Sequence, residues 1–176
     1  MVSAGHSNAT YEQAMEAFNN GINVATHLYN AMSAFQHRAP GLPGAIFDHG
    51  KVRASIIPDG YHVDFAAVRI ARQIMKDRLF VITDAVTETE AGFYQHKLVG
   101  DKYESYGILS GSALTMNKAV SNLVKNAGID LGEAFRMCSL YPARIMNLDH
   151  SLGKIENGFT ASIVALDNDL NVIKVY

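Results

Sequence analysis

The stretch VSAGHSNATYEQAMEAFNNGINVATH, residues 2–27, decides how the rest of the chain is read. VSAG is small and apolar enough for a short strand and runs directly into His6. Ser7 and Asn8, both good N-cap types, lead into a helical pattern in which Tyr11, Ala14, Met15 and Phe18 recur on one face and Gly21 supplies a stop. INVATH, residues 22–27, is strand-like again and also ends on a histidine. A strand, a helix and a second strand within 26 residues call for parallel pairing through a crossover helix.

The rhythm continues outward from this unit. A Gly/Pro-rich segment reaching Gly50 reads as a long loop, VRASIIP (52–58) as a third strand, and RLFVITD (78–84) as a fourth. Between the last two, Asp64 is placed to cap the helix FAAVRIARQIMKD. Met15, Phe18, Ile70 and Ile74 are expected to form a packing stripe in the core. Strands separated by helices predict an α/β architecture. After Asp84 the pattern changes. Residues 92–109 hold two β-like runs around Val99-Gly100-Asp101, a hairpin inserted before LSGSALTM. Two helices follow, TMNKAVSNLVKNAG and LGEAFRMCSL, the second running up to Tyr141-Pro142. The tail holds two short strand patterns, ASIVAL and NVIKVY, joined by the turn-rich Asp167-Asn168-Asp169.

Composition narrows the function classes. The 176 residues carry 15 Lys+Arg against 17 Asp+Glu, a formal net charge of -2, with no concentration of positive charge. This argues against nucleic acid or an anionic membrane surface as a partner. The single cysteine, Cys138, rules out an internal disulfide and suits a reducing compartment. No signal-peptide pattern opens the chain, and no apolar run approaches the ~18 residues of a membrane span. A cytoplasmic location is expected.

His6, His27, His62 and Asp84 each fall at the C-terminal end of one strand or in the turn after it, at separations of 21, 35 and 22 residues. In parallel α/β folds these ends share one face, where such folds place their sites. Two histidines and an aspartate there suit metal-assisted hydrolysis. Neutral imidazoles ligate a borderline divalent metal, which lowers the pKa of a water, and a carboxylate can take that water's proton and pass it to a leaving group. A strand-end histidine also serves as an ordinary hydrogen-bonding loop residue and an aspartate as a cap, so joint placement carries the reading. Ser110 and Ser112 lack a nucleophile elbow around them, and Cys138 lies among apolar helical neighbours that suggest an inert thiol.

The strings VSAGHSNAT, ATHLYNAM, PGLPGAI, PDGYHVD, FVITDA, LSGSALTM and LYPARIMNL, in this order, closely resemble the N-acetylglucosamine-6-phosphate deacetylases of the amidohydrolase superfamily. The resemblance implies part of a (β/α)8 barrel of TIM type, about four βα units from its C-terminal half over residues 1–153, with residues 154–176 as strands of a small β-sandwich. It implies that His6 and His27 are metal ligands for zinc or iron. It makes Asp84 the catalytic residue, general base towards the hydrolytic water and then general acid towards the departing amine. Asn30 and Ala31 match positions that bind the phosphate region of an amino-sugar phosphate, and Asp59, Gly60, Tyr61 and His62 match a substrate-binding segment. Leu109, Ser110 and Gly111 match a substrate-contacting loop. Arg38 matches an arginine that reaches the phosphate from the neighbouring subunit of a homodimer.

Departures from the family pattern matter as much. The glutamate metal ligand of an earlier strand, an earlier substrate-contacting histidine and the N-terminal part of the β-sandwich have no counterpart here. Ala161-Ser162-Ile163-Val164 stands where the family usually writes Ala-Asp-Leu-Val, and the final strand lacks the usual glycine. A catalytic zinc-type site has about three protein ligands. The chain is therefore expected to be the C-terminal part of a longer deacetylase and inactive alone. Half a barrel leaves strand edges exposed, so it should recruit a second copy, borrow strands or be unstable. Two other readings stand beside this one: an amidohydrolase acting on a different acylated sugar or a cyclic amide, and a non-catalytic half-barrel that dimerises or binds sugar phosphate.

Overall fold

The computed structural model of the chain describes residues 1–92 and 95–176; Phe93 and Tyr94, within the segment read as an inserted hairpin, lie outside the described residues. The four expected strands form one parallel sheet in chain order: β1 (Ser3–Ala4), β2 (Val24–Ala25), β3 (Arg53–Ile56) and β4 (Leu79–Val81). Between them run α1 (Tyr11–Asn19), α2 (Gly41–Asp48) and α3 (Phe65–Met75). Consecutive neighbours in one direction are what a succession of βα units produces. Ala4, Ala25, Ala54 and Leu79 stand in one row across the sheet, and the last three are fully buried. The core joins this sheet to Phe18 of α1, Ile46 of α2 and Val68 and Met75 of α3, and continues into Leu123 and Met137 of the later helices.

Local details depart from expectation for physical reasons. The cap of α1 is Thr10, not Ser7 or Asn8: Thr10 and Gln13 close a reciprocal capping box, while the Ser7 backbone is engaged with residues 31–33. The Gly/Pro-rich segment is not all loop, since it contains α2. Pro43 is its third residue, where no intrahelical amide bond is lost, and Gly41 to Ile46 are buried throughout, so no amphipathic period marks it. On α3 the buried face is Val68, Ala71 and Met75, whereas Ile70 and Ile74 are exposed and do not join Met15 and Phe18 in the core. Asp64 does cap this helix, accepting a bond from the Ala66 amide at 2.7 Å.

The segment after β4 is a three-stranded antiparallel sheet of β5 (Lys97–Val99), β6 (Lys102–Ser105) and β7 (Ile108–Ser112). Leu109, Ser110 and Gly111 thus lie on a strand and not in a loop. Then come α4 (Met116–Lys125), α5 (Leu131–Cys138) and α6 (Leu140–Ile145). The second expected helix ends at Cys138, and a further short helix, α6, follows across Tyr141-Pro142, with Pro142 in its first turn, where it is tolerated. Helices α5 and α6 pack on β4. The tail forms the antiparallel pair β8 (Val164–Leu166) and β9 (Val172–Val175). Among the described residues no helix is long and apolar enough to cross a membrane.

Candidate metal and substrate site

The C-terminal ends of β1 and β2 bring His6 and His27 together. Their rings meet edge to face with centroids 4.7 Å apart. His27 is buried and its Nδ1 has no hydrogen-bond partner among the described residues, whereas His6 is exposed. Both residues, and Asp84 at the end of β4, adopt left-handed backbone, with φ of 47°, 36° and 50°. Such a conformation is uncommon outside glycine and costs energy, so it persists where the surroundings enforce it. Here the chain turns sharply after each strand at a candidate site residue.

Loops after the two histidines are joined to each other. The Ser7 amide donates to the Ala31 carbonyl at 2.9 Å and the Ser33 amide to the Ser7 carbonyl at 3.1 Å. Asn30 closes its own turn through its amide to the His27 carbonyl at 2.9 Å. Beyond β3, the Asp59 carboxylate gathers the segment that follows it. Its Oδ1 accepts the Tyr61 and His62 amides at 2.9 and 2.8 Å, and its Oδ2 lies 2.5 Å from His62 Nδ1. Burial pushes the Asp59 carboxyl up, but the bond from the His62 ring, the two amides and the His62 charge outweigh it and hold it below its usual value. His62 is thereby fixed through Nδ1, with its Nε2 making no hydrogen bond among the described residues. Gly60, at φ +81°, is required: a Cβ there would stand 2.8 Å from the Phe65 ring.

Asp84 is exposed, and its carbonyl accepts the Ser112 amide at 3.2 Å, so β7 is attached to the end of β4. The approach is close enough that a Cβ on Gly111 would come within 2.5 Å of Val86. Ser110 Oγ pairs with His96 Nδ1 at 2.9 Å, and Ser112 Oγ accepts the Leu114 amide at 2.8 Å, so both serines are engaged in hydrogen bonding. Burial pushes the Cys138 thiol up to about 12, which leaves no thiolate nucleophile. Arg38 stands apart. Gln36 and Ala39 exchange both backbone bonds at 3.1 Å, leaving His37 and Arg38 at an exposed two-residue tip.

The amidohydrolase family model matches residues 1–176, the whole chain. The chain belongs to the amidohydrolase family. An N-acetylglucosamine-6-phosphate deacetylase of Haemophilus influenzae is 38% identical to it over 98% of the chain and 48% of the relative. An N-acetylgalactosamine-6-phosphate deacetylase of Escherichia coli O157:H7 is 36% identical over 99% of the chain and 48% of the relative. The crystal structure of the N-acetylglucosamine-6-phosphate deacetylase of Pasteurella multocida superposes with a TM-score of 0.94 at 39% identity, covering 100% of this chain and 48% of that one. The chain thus spans about half the length of the curated relatives it matches.

Deacetylases of the amidohydrolase superfamily are metal-dependent. The histidine pair fits such an ion in part. Two imidazole nitrogens each ~2.1 Å from one ion place their ring centroids roughly 5 Å apart, close to the observed spacing. The unpaired, buried Nδ1 of His27 is a lone pair or proton awaiting a partner. Among the described residues no third histidine, cysteine or carboxylate completes the cluster. The residues that sequence reasoning missed support the site from behind. Ser55, the one polar side chain in the middle of VRASIIP, accepts the His27 amide at 2.7 Å. Asn122 of α4, also buried, donates to the Pro58 carbonyl just before Asp59 at 2.9 Å. For Ser55 the available signal was a polar residue within an apolar run; Asn122, beside Ser121 on an amphipathic helix, offered none.

Proposed function

We propose that the chain is the C-terminal part of an amidohydrolase that hydrolyses the acetamide of N-acetylglucosamine 6-phosphate to glucosamine 6-phosphate and acetate. Residues 1–153 are read as barrel and 154–176 as strands of a small β-sandwich. The observation that carries the reading is the pairing of His6 with buried His27, whose Nδ1 has no partner among the described residues, at adjacent strand ends, in a chain 38% identical to a relative of that name.

In this reading His6 and His27 hold a divalent ion, zinc or iron, together with a further ligand that is not among the described residues. The chemistry such an ion supplies when bound is Lewis acidity, which lowers the pKa of a water and polarises the amide carbonyl. Asp84 takes the proton of the attacking water as the carbon–oxygen bond forms. It then delivers that proton to the nitrogen as the carbon–nitrogen bond breaks, releasing a neutral amine. His62, held through Nδ1 by Asp59, presents Nε2 to the sugar, with Gly60 and Tyr61 beside it. Asn30, Ala31 and the β7 residues Leu109, Ser110 and Gly111 line the substrate, and Arg38 on its exposed tip reaches the phosphate of a neighbouring subunit as a charge-assisted fork. These contacts bind and orient the sugar more than they assist bond cleavage.

With only two ligands, the 176-residue chain alone is expected to release no acetate from N-acetylglucosamine 6-phosphate in the presence of zinc or iron(II). Fused behind the N-terminal half of the Haemophilus influenzae relative, it is expected to gain that activity and to leave unphosphorylated N-acetylglucosamine intact. Equal hydrolysis of the unphosphorylated sugar would overturn the substrate assignment. The 36% identity to a relative named for the galactosamine epimer supports a second reading, in which N-acetylgalactosamine 6-phosphate is the better substrate of the same fusion.

A further inference from the structure

We propose that Ser55 is a positioning residue for His27, setting the direction of its ring and with it the affinity of the metal; this rests on the metal-site reading above. In a regular strand successive amides point to opposite sides. At the end of β2 the Thr26 amide points to β1, donating to the Ala4 carbonyl at 2.8 Å. The His27 and Leu28 amides then both point to β3, and both end on Ser55: His27 on its hydroxyl at 2.7 Å, Leu28 on its carbonyl at 2.8 Å. Two consecutive amides can share one side only if the backbone turns between them, and that turn is the left-handed conformation of His27, φ 36°. Ser55 therefore holds the turn from two points.

The side chain of His27 gives the turn its importance. Its Nδ1 has no partner among the described residues, so that nitrogen offers the ring no fixed bond of its own. The ring's direction is inherited from the backbone, and the backbone's unfavourable conformation is inherited from the Ser55 hydroxyl. Ser55 is 2% exposed, so water cannot substitute for that hydroxyl. Removing it leaves a buried amide without an acceptor and lets residue 27 relax towards ordinary φ, which swings the imidazole away from His6. Groups that orient a metal-ligating histidine commonly change metal affinity by about 10–100-fold when lost.

The test is titration with cobalt(II) alone, followed by its visible absorption, of the chain fused behind the N-terminal half of the Haemophilus influenzae relative, as wild type, Ser55→Ala, Ser55→Thr and His27→Ala. Ser55→Ala is expected to weaken cobalt binding by about 10–100-fold, Ser55→Thr, which keeps the hydroxyl, to stay close to wild type, and His27→Ala to lose the signature. Wild-type affinity in Ser55→Ala beside a loss in His27→Ala would overturn the positioning role while leaving the metal site standing. Wild-type affinity in His27→Ala would overturn the metal reading, and this inference with it. Amide exchange in the metal-free fusion gives a second readout: the His27 amide should exchange faster in Ser55→Ala by an order of magnitude or more, and unchanged exchange refutes the clamp. If Ser55→Ala does not fold, Ser55→Cys, with its weaker acceptor, is expected to move both readouts the same way.

Discussion

Strands β3 and β9 are each four residues long, and their fates are opposite. β3, with the sequence RASI, lies between β2 and β4, and its last three residues are buried. β9, with the sequence VIKV, has more β-branched side chains, pairs among the described residues only with β8 and is exposed throughout. Burial is therefore decided by neighbours on both edges and on the faces, not by the strand's own propensity. Near β9 an open apolar cleft of about 940 Å³ separates the tail from α4 to α6, lined by Phe135, Met146, Val164 and Val175 among others. The packed sheet is also the part that carries His6 and His27. A turn as strained as that at His27 can be held only where the supporting strand cannot move.

The largest expected effect tests that packing directly. Leu79 on β4 has no exposed surface and sits in the row with Ala54 of β3. Leu79→Ala is expected to lower the unfolding free energy in urea by about 3 kcal/mol, transfer and cavity terms together. A loss below about 1 kcal/mol would mean the sheet is no better packed than the tail, and the comparison would fail.

A smaller effect is expected at Glu133 on α5, the carboxylate that ties the later helices to α3. It lies 2.6 Å from Arg72 and 2.8 Å from Arg136, and accepts the Tyr141 hydroxyl at 3.1 Å. Burial pushes its carboxyl up, but the Arg136 bond, the Arg72 charge and the Tyr141 hydroxyl prevail and hold it below its usual value. A depressed folded pKa contributes stability that is full above the ordinary glutamate range and is lost as pH falls through the folded value. Glu133→Gln should cost about 2 kcal/mol at neutral pH, and the difference from wild type should shrink on acidification below the ordinary glutamate range. A pH-independent difference would remove the ion pairs from the account and leave only packing.

Much of this was legible in the chain and some was not, for reasons that belong to particular residues. The βα rhythm gave the parallel order of β1 to β4, and the histidines ending VSAGH and INVATH gave the pair that the fold brings into contact. Helix α2 escaped notice because its first six residues are all buried and so show no period to detect. Ile70 and Ile74 drew the core stripe of α3 to the wrong face, because Val68, Ala71 and Met75, a stripe offset from them by one residue or about 100° around the helix, do the burying. The left-handed turns at His6, His27 and Asp84 leave no mark in sequence, since none of these residues is glycine. Ser55 stood out as a polar residue in an apolar run, but its role could not be read, because it depends on a partner 28 residues away.

The smallest expected effect lies in the tail, where the comparison is most exposed to refutation. Ile173 of β9 is large and apolar, and by composition alone its removal should resemble that of Leu79. Its side chain is 66% exposed, however, and a two-stranded pair protects little backbone. Ile173→Ser is therefore expected to change the unfolding free energy by less than about 0.5 kcal/mol. Amide exchange should show the same division: β3 amides should open only near the global unfolding free energy, and β9 amides far below it. A cost at Ile173 approaching that at Leu79, with matching protection of β9, would mean that the apolar side of the tail is covered in solution. The contrast with β3 would then measure a missing neighbour and not a weak strand.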